Sequence, residues 1–232
     1  MTGSPTTPPR WVCLDVGETL IDETRIWSTW ADVLGIPRMT FLAAFGAVVA
    51  RGEEHQGVFS LLGIPDWRAR SPEVQARYGG FQPDDLYPDV LPAIAALHDR
   101  GLRVSVIGNQ PARRTAELRA LGVDPDVMAM SDEMGVAKPD ARFFVRALEL
   151  MGGPAASAVA YVGDRPDNDV RPSAAAGMRA VWLRRGPWGV IAPDAPGAVL
   201  QVASLAELVS RLDEAWDPGA VAAPTGVQPL LA

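Results

Sequence analysis

Short apolar runs alternate with segments of helical period along most of this chain. Runs at residues 11–14, 102–107, 127–130, 159–162 and 180–183 are four to six residues long, nearly continuous in apolar character and bounded by turn-forming residues. Such runs read as strands covered on both faces. Between them, residues 90–99, 112–121, 141–151 and 169–176 carry apolar positions three and four apart, as one face of a helix does. Gly101, Gly122, Gly152 and Gly177 stand where these helices are expected to end. A last helix over 205–216 is expected to cover the sheet. Strands alternating with helices imply right-handed crossovers and a parallel sheet, an α/β architecture. Ligands of such sheets bind beyond the carboxyl ends of the strands, and that edge is where chemistry is sought.

One interval departs from the alternation. Residues 22–85 contain no strand pattern, and helical spacing recurs over 24–34, 40–51 and around 59–62. The interval follows the first strand directly. It is therefore expected to form a helical cap subdomain inserted into a core made of residues 10–21 and 86–216, placed as a lid over the strand ends. Residues 1–9, rich in Pro, Thr and Ser, and 217–232, rich in Pro, Gly and Ala, are expected to be an unstructured leader and a flexible tail.

Composition narrows the function classes. The 232 residues are 48% hydrophobic, as in an ordinary globular protein. A net charge of −7 and the lack of any Lys/Arg run argue against nucleic acid as a partner. The longest apolar-rich stretch, 41–50, is far too short to span a bilayer, and the first residues lack the apolar segment of a secretory signal. Cys13 is the only cysteine, so no intrachain disulfide can form. A soluble, cytoplasmic protein is expected, with no membrane partner.

Four stations carry candidate chemistry. Asp15 ends the first strand and enters a turn through Val16-Gly17-Glu18-Thr19. Gly108 and Asn109 follow the second strand; the glycine leaves room for a ligand at the backbone, and the amide can orient a neighbour. Lys138, in Ala137-Lys138-Pro139-Asp140, precedes a helix, and it is the one lysine among 21 basic residues. A compact ammonium differs from a planar guanidinium fork, so a position held by lysine in an arginine-biased chain points to a need for it. Asp164 ends the strand Tyr161-Val162-Gly163, and with Asp167 and Asp169 it crowds three carboxylates into six residues. Such crowding calls for a cation, and magnesium suits a few carboxylates, waters and a substrate phosphate.

Together these stations resemble the haloacid dehalogenase superfamily in the order strand–Asp, strand–Gly-Asn, Lys-Pro–helix and strand–Gly-Asp-x-x-x-x-Asp. The resemblance covers roughly residues 11–186 and includes a helical cap after the first motif. It implies a doubly wound, Rossmann-like sheet and a Mg²⁺ cofactor. It also implies Asp15 as a nucleophile that forms an aspartyl-phosphate, with Lys138 neutralising the nucleophile and the phosphoryl oxygens. Asp15, Asp164 and the Gly17 carbonyl would hold the metal. Asp169 would assist it or hold Lys138, and Gly108 and Asn109 would lie on the substrate side.

Two departures from the family pattern bear on activity. The phosphatases of the family carry an aspartate as general acid and base where this chain has Gly17. They carry Ser or Thr where it has Gly108. Loss of a general acid typically costs a factor of about 10²–10⁴ in rate. The expected function is a phosphomonoesterase with weakened acid–base machinery, acting on a small phosphorylated metabolite. Glu18, Asp22, Glu23 or a cap residue such as His55 are candidate proton donors. An inactive phosphate-binding or interaction protein on the same scaffold is the alternative. A dehalogenase ranks lower, because the acidic cluster suits a metal. The family's carbon–phosphorus cleavage needs a cap lysine, which this chain lacks. No dinucleotide, phosphate-loop or serine-elbow motif occurs, and one cysteine with two distant histidines does not make a zinc site.

Overall fold

A computed structural model describes residues 9–217. The expected leader and tail lie almost wholly outside the described residues. Six strands form one sheet: β1 (Trp11–Leu14), β2 (Arg103–Gly108), β3 (Val127–Met130), β4 (Val159–Gly163), β5 (Arg179–Leu183) and β6 (Leu200–Val202). Every pairing is parallel, in the order β3-β2-β1-β4-β5-β6. This is the doubly wound, Rossmann-like order, and its direction reverses between β1 and β4. Leu14 sits in register with Val106 of β2 on one side and Val162 of β4 on the other.

The apolar runs are continuous because both faces of the sheet are covered. Val12, Leu14, Val104, Val106, Ala160 and Val162 join one buried cluster, with Ile94 and Leu97 of α5 (Val90–Asp99) and Leu205 and Leu208 of α11 (Leu205–Arg211). The alternate residues Trp11, Cys13, Ile107, Val159 and Tyr161 face the other way, onto Phe143, Phe144 and Ala147 of α8 (Ala141–Leu150). Alternation of side chains across a strand assigns each residue to its face.

Between β1 and β2 run α1 (Thr24–Leu34), α2 (Arg38–Ala50), α3 (Gly57–Leu61) and α4 (Ser71–Tyr78). They have an apolar cluster of their own, built around Trp30, Phe41, Phe45, Val48 and Phe59. Trp188 joins this cluster from α10 (Gly186–Ile191), which follows β5. The inserted helices are thereby seated on the sheet domain by an aromatic side chain. No single helix among the described residues is long and apolar enough to cross a membrane.

Several boundaries differ from the sequence expectation. The strand expected at 102–107 runs Arg103–Gly108, and the helix expected at 112–121 is α6 (Arg114–Ala120). The helix expected at 169–176 is split into a π turn, Pro166–Val170, and α9 (Arg171–Ala175). In the turn the Val170 N–H reaches back five residues to the Arg165 carbonyl, and the Asp169 side chain points inward. Such wide turns recur at functional sites. The helix expected at 205–216 ends as α11 at Arg211 and continues as a 3₁₀ turn, Leu212–Trp216. The pattern did not reveal β6, α10 or α4. Strand β6 is three residues long, too short for periodicity to register. Helices α7 (Ser131–Met134) and α9 are single short turns.

Candidate active site

Strands β1 and β4 are neighbours, so the residues after their carboxyl ends meet. Asp15 and Asp164 thus stand side by side at the reversal point of the sheet, and the Asp15 N–H continues the ladder to the Val162 carbonyl at 2.9 Å. Lys138 reaches them from the loop before α8. Its Nζ lies 2.6 Å from Asp15 Oδ1 and 2.6 Å from Asp169 Oδ1, with its side chain only 1% exposed. Asp169 is spent on this architecture: its other oxygen, Oδ2, accepts from the Arg165 N–H at 2.9 Å.

The Lys138 loop is clamped by Asn109. The Asn109 Nδ2 donates to the Lys138 carbonyl at 2.9 Å, and the Lys138 N–H donates to Asn109 Oδ1 at 2.8 Å. Asn109 therefore acts on the lysine through its backbone. Gly108 has a different reason to lack a side chain from the one its sequence context offered. A Cβ there would lie 2.6 Å from Asp15 Oδ1 and 2.9 Å from Val16 Cγ2, so the space is taken by Asp15 itself.

The electrostatics follow from burial. Asp15 is pushed up to about 6, chiefly by burial and against the pull of Lys138. Asp164 is raised well above the usual carboxylate range by burial, with Asp169 and Asp15 adding to it. Burial alone would lower Lys138, but the charges of Asp15 and Asp169 overcome it and hold the ammonium protonated. Burial pushes the Cys13 thiol up to about 12, which removes it as a nucleophile.

Asp15, Asp164 and Asp169 each present a carboxylate oxygen within 4.8 Å of the others, all three buried. Asp164 Oδ2 is buried without a hydrogen-bond partner among the described residues. A buried carboxylate oxygen in this state calls for a cation or a proton. With Asp169 engaged by Lys138 and Arg165, the donor set facing the cavity is Asp15, Asp164 and the Gly17 backbone: hard oxygen ligands, few in number, of the kind magnesium takes together with waters and a phosphate.

These groups open onto a cavity of about 260 Å³. Gln110, Arg165 and Asn168 of the sheet domain line it, as do Glu54 and His55 from the segment between α2 and α3. Arg165 joins the two sides, with Nη2 at 3.2 Å from Glu54 Oε1 and 2.7 Å from Asp167 Oδ2, and its guanidinium 4.5 Å from the centre of the Trp188 ring. Among the proton donors considered from the sequence, Glu18 is committed elsewhere. It sits at a positive φ of 51°, its Oε2 accepts from the Tyr87 hydroxyl at 2.6 Å, and its Oε1 accepts from the Glu23 N–H at 3.1 Å. Asp22 accepts from the Thr24 N–H at 2.7 Å and is not among the cavity's lining residues. Glu18, Glu23 and His55 all line the cavity, Glu18 with both carboxylate oxygens already engaged.

Strand-end carboxylates, with a lysine between two of them, thus gather at the reversal point of a doubly wound sheet, the edge at which such folds bind their ligands. The model of the haloacid dehalogenase-like hydrolases matches residues 9–177, and the chain belongs to that family. A glyceraldehyde 3-phosphate phosphatase of Methanopyrus kandleri is 34% identical over 110 residues, 46% of this chain and 47% of that protein. A phosphoserine phosphatase of Thermus thermophilus is 36% identical over 128 residues, 53% of this chain and 49% of that protein. The chain thus spans about half the length of these curated relatives. Among solved structures, a haloacid dehalogenase-like hydrolase from Bacteroides fragilis superposes with a TM-score of 0.65 at 21% identity, over 86% of this chain and 99% of that one. At that identity the likeness speaks for the fold.

Proposed function

We propose that the protein is a magnesium-dependent phosphomonoesterase that acts on a small phosphorylated metabolite through an aspartyl-phosphate on Asp15. The observation that carries this reading is the pairing of Lys138 with Asp15 at 2.6 Å beside the partnerless Asp164 Oδ2. A nucleophilic carboxylate, an ammonium and a vacant hard-oxygen ligand are the parts that phosphoryl transfer asks of a protein, because the work is positioning and charge stabilisation. The phosphatase names of the relatives point the same way.

In this mechanism a carboxylate oxygen of Asp15 attacks phosphorus in line as the ester oxygen leaves. Lys138 keeps that carboxylate ionised and stabilises charge on the phosphoryl oxygens. Asn109 and Asp169 hold the lysine in place. Water then attacks the phosphorus of the aspartyl-phosphate and frees Asp15. Magnesium, when bound by Asp15, Asp164 and the Gly17 carbonyl, supplies further neutralisation of phosphoryl charge. A cavity of about 260 Å³ is below the roughly 300–1,000 Å³ of pockets that take drug-sized ligands, which supports a small substrate. The inserted helices serve as the cap, with Glu54 and His55 facing the leaving group. The cation site formed with Asp164 favours this reading over metal-free carbon–halogen cleavage.

The test is a panel of phosphate esters and acyl phosphates with Mg²⁺, alongside Asp15→Asn. Turnover that needs Mg²⁺ and disappears in Asp15→Asn is expected. Turnover that survives the substitution removes Asp15 as nucleophile.

A further inference from the structure

Gly17 leaves a gap where related phosphatases keep an acid, and the structure fills that gap from elsewhere in the chain. A Cβ built on Gly17 would lie 2.6 Å from Glu23 Oε1 and 3.1 Å from Glu23 Cδ. In an aspartate the carboxylate oxygens lie roughly 2.4 Å from the Cβ, as follows from C–C and C–O lengths of about 1.5 and 1.2 Å. Glu23 Oε1 therefore stands at the distance from residue 17 at which an aspartate's own oxygen would stand, approached from the opposite side. A side chain at position 17 would require the Glu23 carboxylate to shift, and the other glutamate lining the cavity beside it, Glu18, has both carboxylate oxygens engaged by the Tyr87 hydroxyl and the Glu23 N–H.

The Glu23 side chain is held for this position. Trp27, one turn further along α1, donates Nε1 to Oε2 at 3.3 Å, which leaves Oε1 toward Gly17 and the cavity. The Glu23 N–H is tied to Glu18 Oε1 at 3.1 Å, fixing the entry into α1. Glu18 itself is held by Tyr87, so the two glutamates have separate duties. Arg165, Gln110 and Arg114 are the other polar groups around Glu23, while Trp27 and the Gly17 backbone form its near wall.

We infer that Glu23 is the general acid and base of this enzyme, delivered to the site by the residue that caps the first inserted helix, α1, instead of by the strand-end turn. This rests on the phosphatase reading above. In the first step the bond between an Asp15 oxygen and phosphorus forms and the bond to the ester oxygen breaks. The proton on Glu23 passes to that oxygen, and an alcohol leaves. In the second step the Glu23 carboxylate takes a proton from water as the water oxygen bonds to phosphorus and the Asp15–phosphorus bond breaks. Phosphate leaves, Asp15 is ionised again, and Glu23 regains its proton. Because Glu23 begins the inserted segment, movement of those helices would carry the acid with them and couple proton transfer to closure over the substrate.

The experiment compares an alkyl phosphate, whose alkoxide leaves poorly, with p-nitrophenyl phosphate, whose phenolate leaves without protonation. Glu23→Gln is expected to lower kcat on the alkyl ester by about 10²–10⁴, with KM little changed. On p-nitrophenyl phosphate it is expected to release about one equivalent of nitrophenol per chain in a burst and to accumulate a hydroxylamine-labile phosphoenzyme. A structural role would produce neither the leaving-group dependence nor the burst. The double variant Gly17→Asp/Glu23→Ala returns the acid to the strand-end turn, and the Gly17 backbone is not in the left-handed region that would oppose it. It is expected to recover at least about tenfold over Glu23→Ala, whereas Gly17→Asp alone should be impaired by the crowding. Equal losses on both esters, no phosphoenzyme and no recovery in the double variant would overturn the assignment while Asp15→Asn remained inactive. An Asp15→Asn variant as active as the wild type would remove the phosphatase reading, and this inference with it.

Discussion

Replacing Lys138 by methionine keeps most of the side-chain volume and removes the charge. The ammonium it removes lies 2.6 Å from each of two carboxylates and is 1% exposed. Taking one partner out of a buried ion pair costs about 3–5 kcal/mol. The variant has one way to limit the cost, which is to let a carboxyl take up a proton. Holding a carboxyl of ordinary pKa 3.8 in its neutral form at pH 7 costs about 1.4 kcal/mol for each of roughly three units, or about 4 kcal/mol. The two routes agree. The native variant then keeps a proton that its unfolded chain releases, so its stability falls as pH rises above the unfolded value. Acidification from pH 7 to 6 should narrow the deficit by about 1.4 kcal/mol, and the narrowing should flatten toward pH 5, where the wild-type Asp15, pushed up to about 6, takes up a proton as well. Urea titrations followed by tryptophan fluorescence, at pH 5, 6 and 7 in EDTA, measure it directly. Lys138→Arg should not restore activity, because a guanidinium is too broad for a site closed by Asp15, Asp169 and the Phe143 and Tyr161 rings at 5.8 and 5.6 Å. A deficit under about 1 kcal/mol at pH 7, or one indifferent to pH, would refute the electrostatic account of this lysine.

Three further outcomes follow from the same geometry. Asn109→Ala removes both hydrogen bonds to the Lys138 backbone and should cost about 1–3 kcal/mol in urea unfolding, with kcat falling more than KM rises. Gly108→Ser, which restores the residue type usual in related phosphatases, should lower activity rather than raise it, because its Cβ would lie 2.6 Å from Asp15 Oδ1; a gain in kcat would contradict that packing. His55 is held down to about 4 by burial, with Arg165 adding to it, so it is neutral in the native state where the unfolded chain is charged. Its share of stability is present above the unfolded value near 6.5 and is lost as pH falls through about 4; for a side chain one-third exposed this amounts to about 1–2 kcal/mol. His55→Phe should therefore lose less stability than the wild type between pH 7 and 5, read as the difference in urea midpoints.

The sheet was legible because its strands are covered on both faces. Trp11 to Leu14 and Val159 to Val162 have no polar side to confuse the pattern, and the structure buries every residue in both runs. What escaped was whatever is too short to show a period or is shaped by a side chain's destination. Strand β6 offers three residues, and it pairs only at the edge of a sheet already built. The π turn at Pro166–Val170 arises because Asp169 turns inward to Lys138 and the Arg165 N–H, contacts whose partners lie outside any local window. Trp188 reads locally as an aromatic residue in a Gly-Pro-Trp-Gly turn, yet it packs among Trp30, Phe45 and Val48 of the inserted helices. Its destination depends on a crossover of more than a hundred residues.

The site shows the same division. Asp15, Lys138, Asp164 and Asp169 could be read from strand ends and a helix start, because a parallel sheet brings all such positions to one edge. The two glycines could not be read, because a missing side chain says nothing of what occupies its space. At Gly108 the occupant is Asp15 Oδ1, and at Gly17 it is Glu23 Oε1. In one case the absence clears room for the Asp15 carboxylate, and in the other it admits a carboxylate from six residues on. A comparison position by position counts both as losses of chemistry. Counting oxygens around the cavity gives a different result, since a carboxylate reaches position 17 from Glu23, the residue that caps α1. The Gly17→Asp/Glu23→Ala exchange therefore separates two views of the chain: a weakened phosphatase would gain from an aspartate at 17 whatever stands at 23, whereas a rearranged one gains only when Glu23 has been cut back.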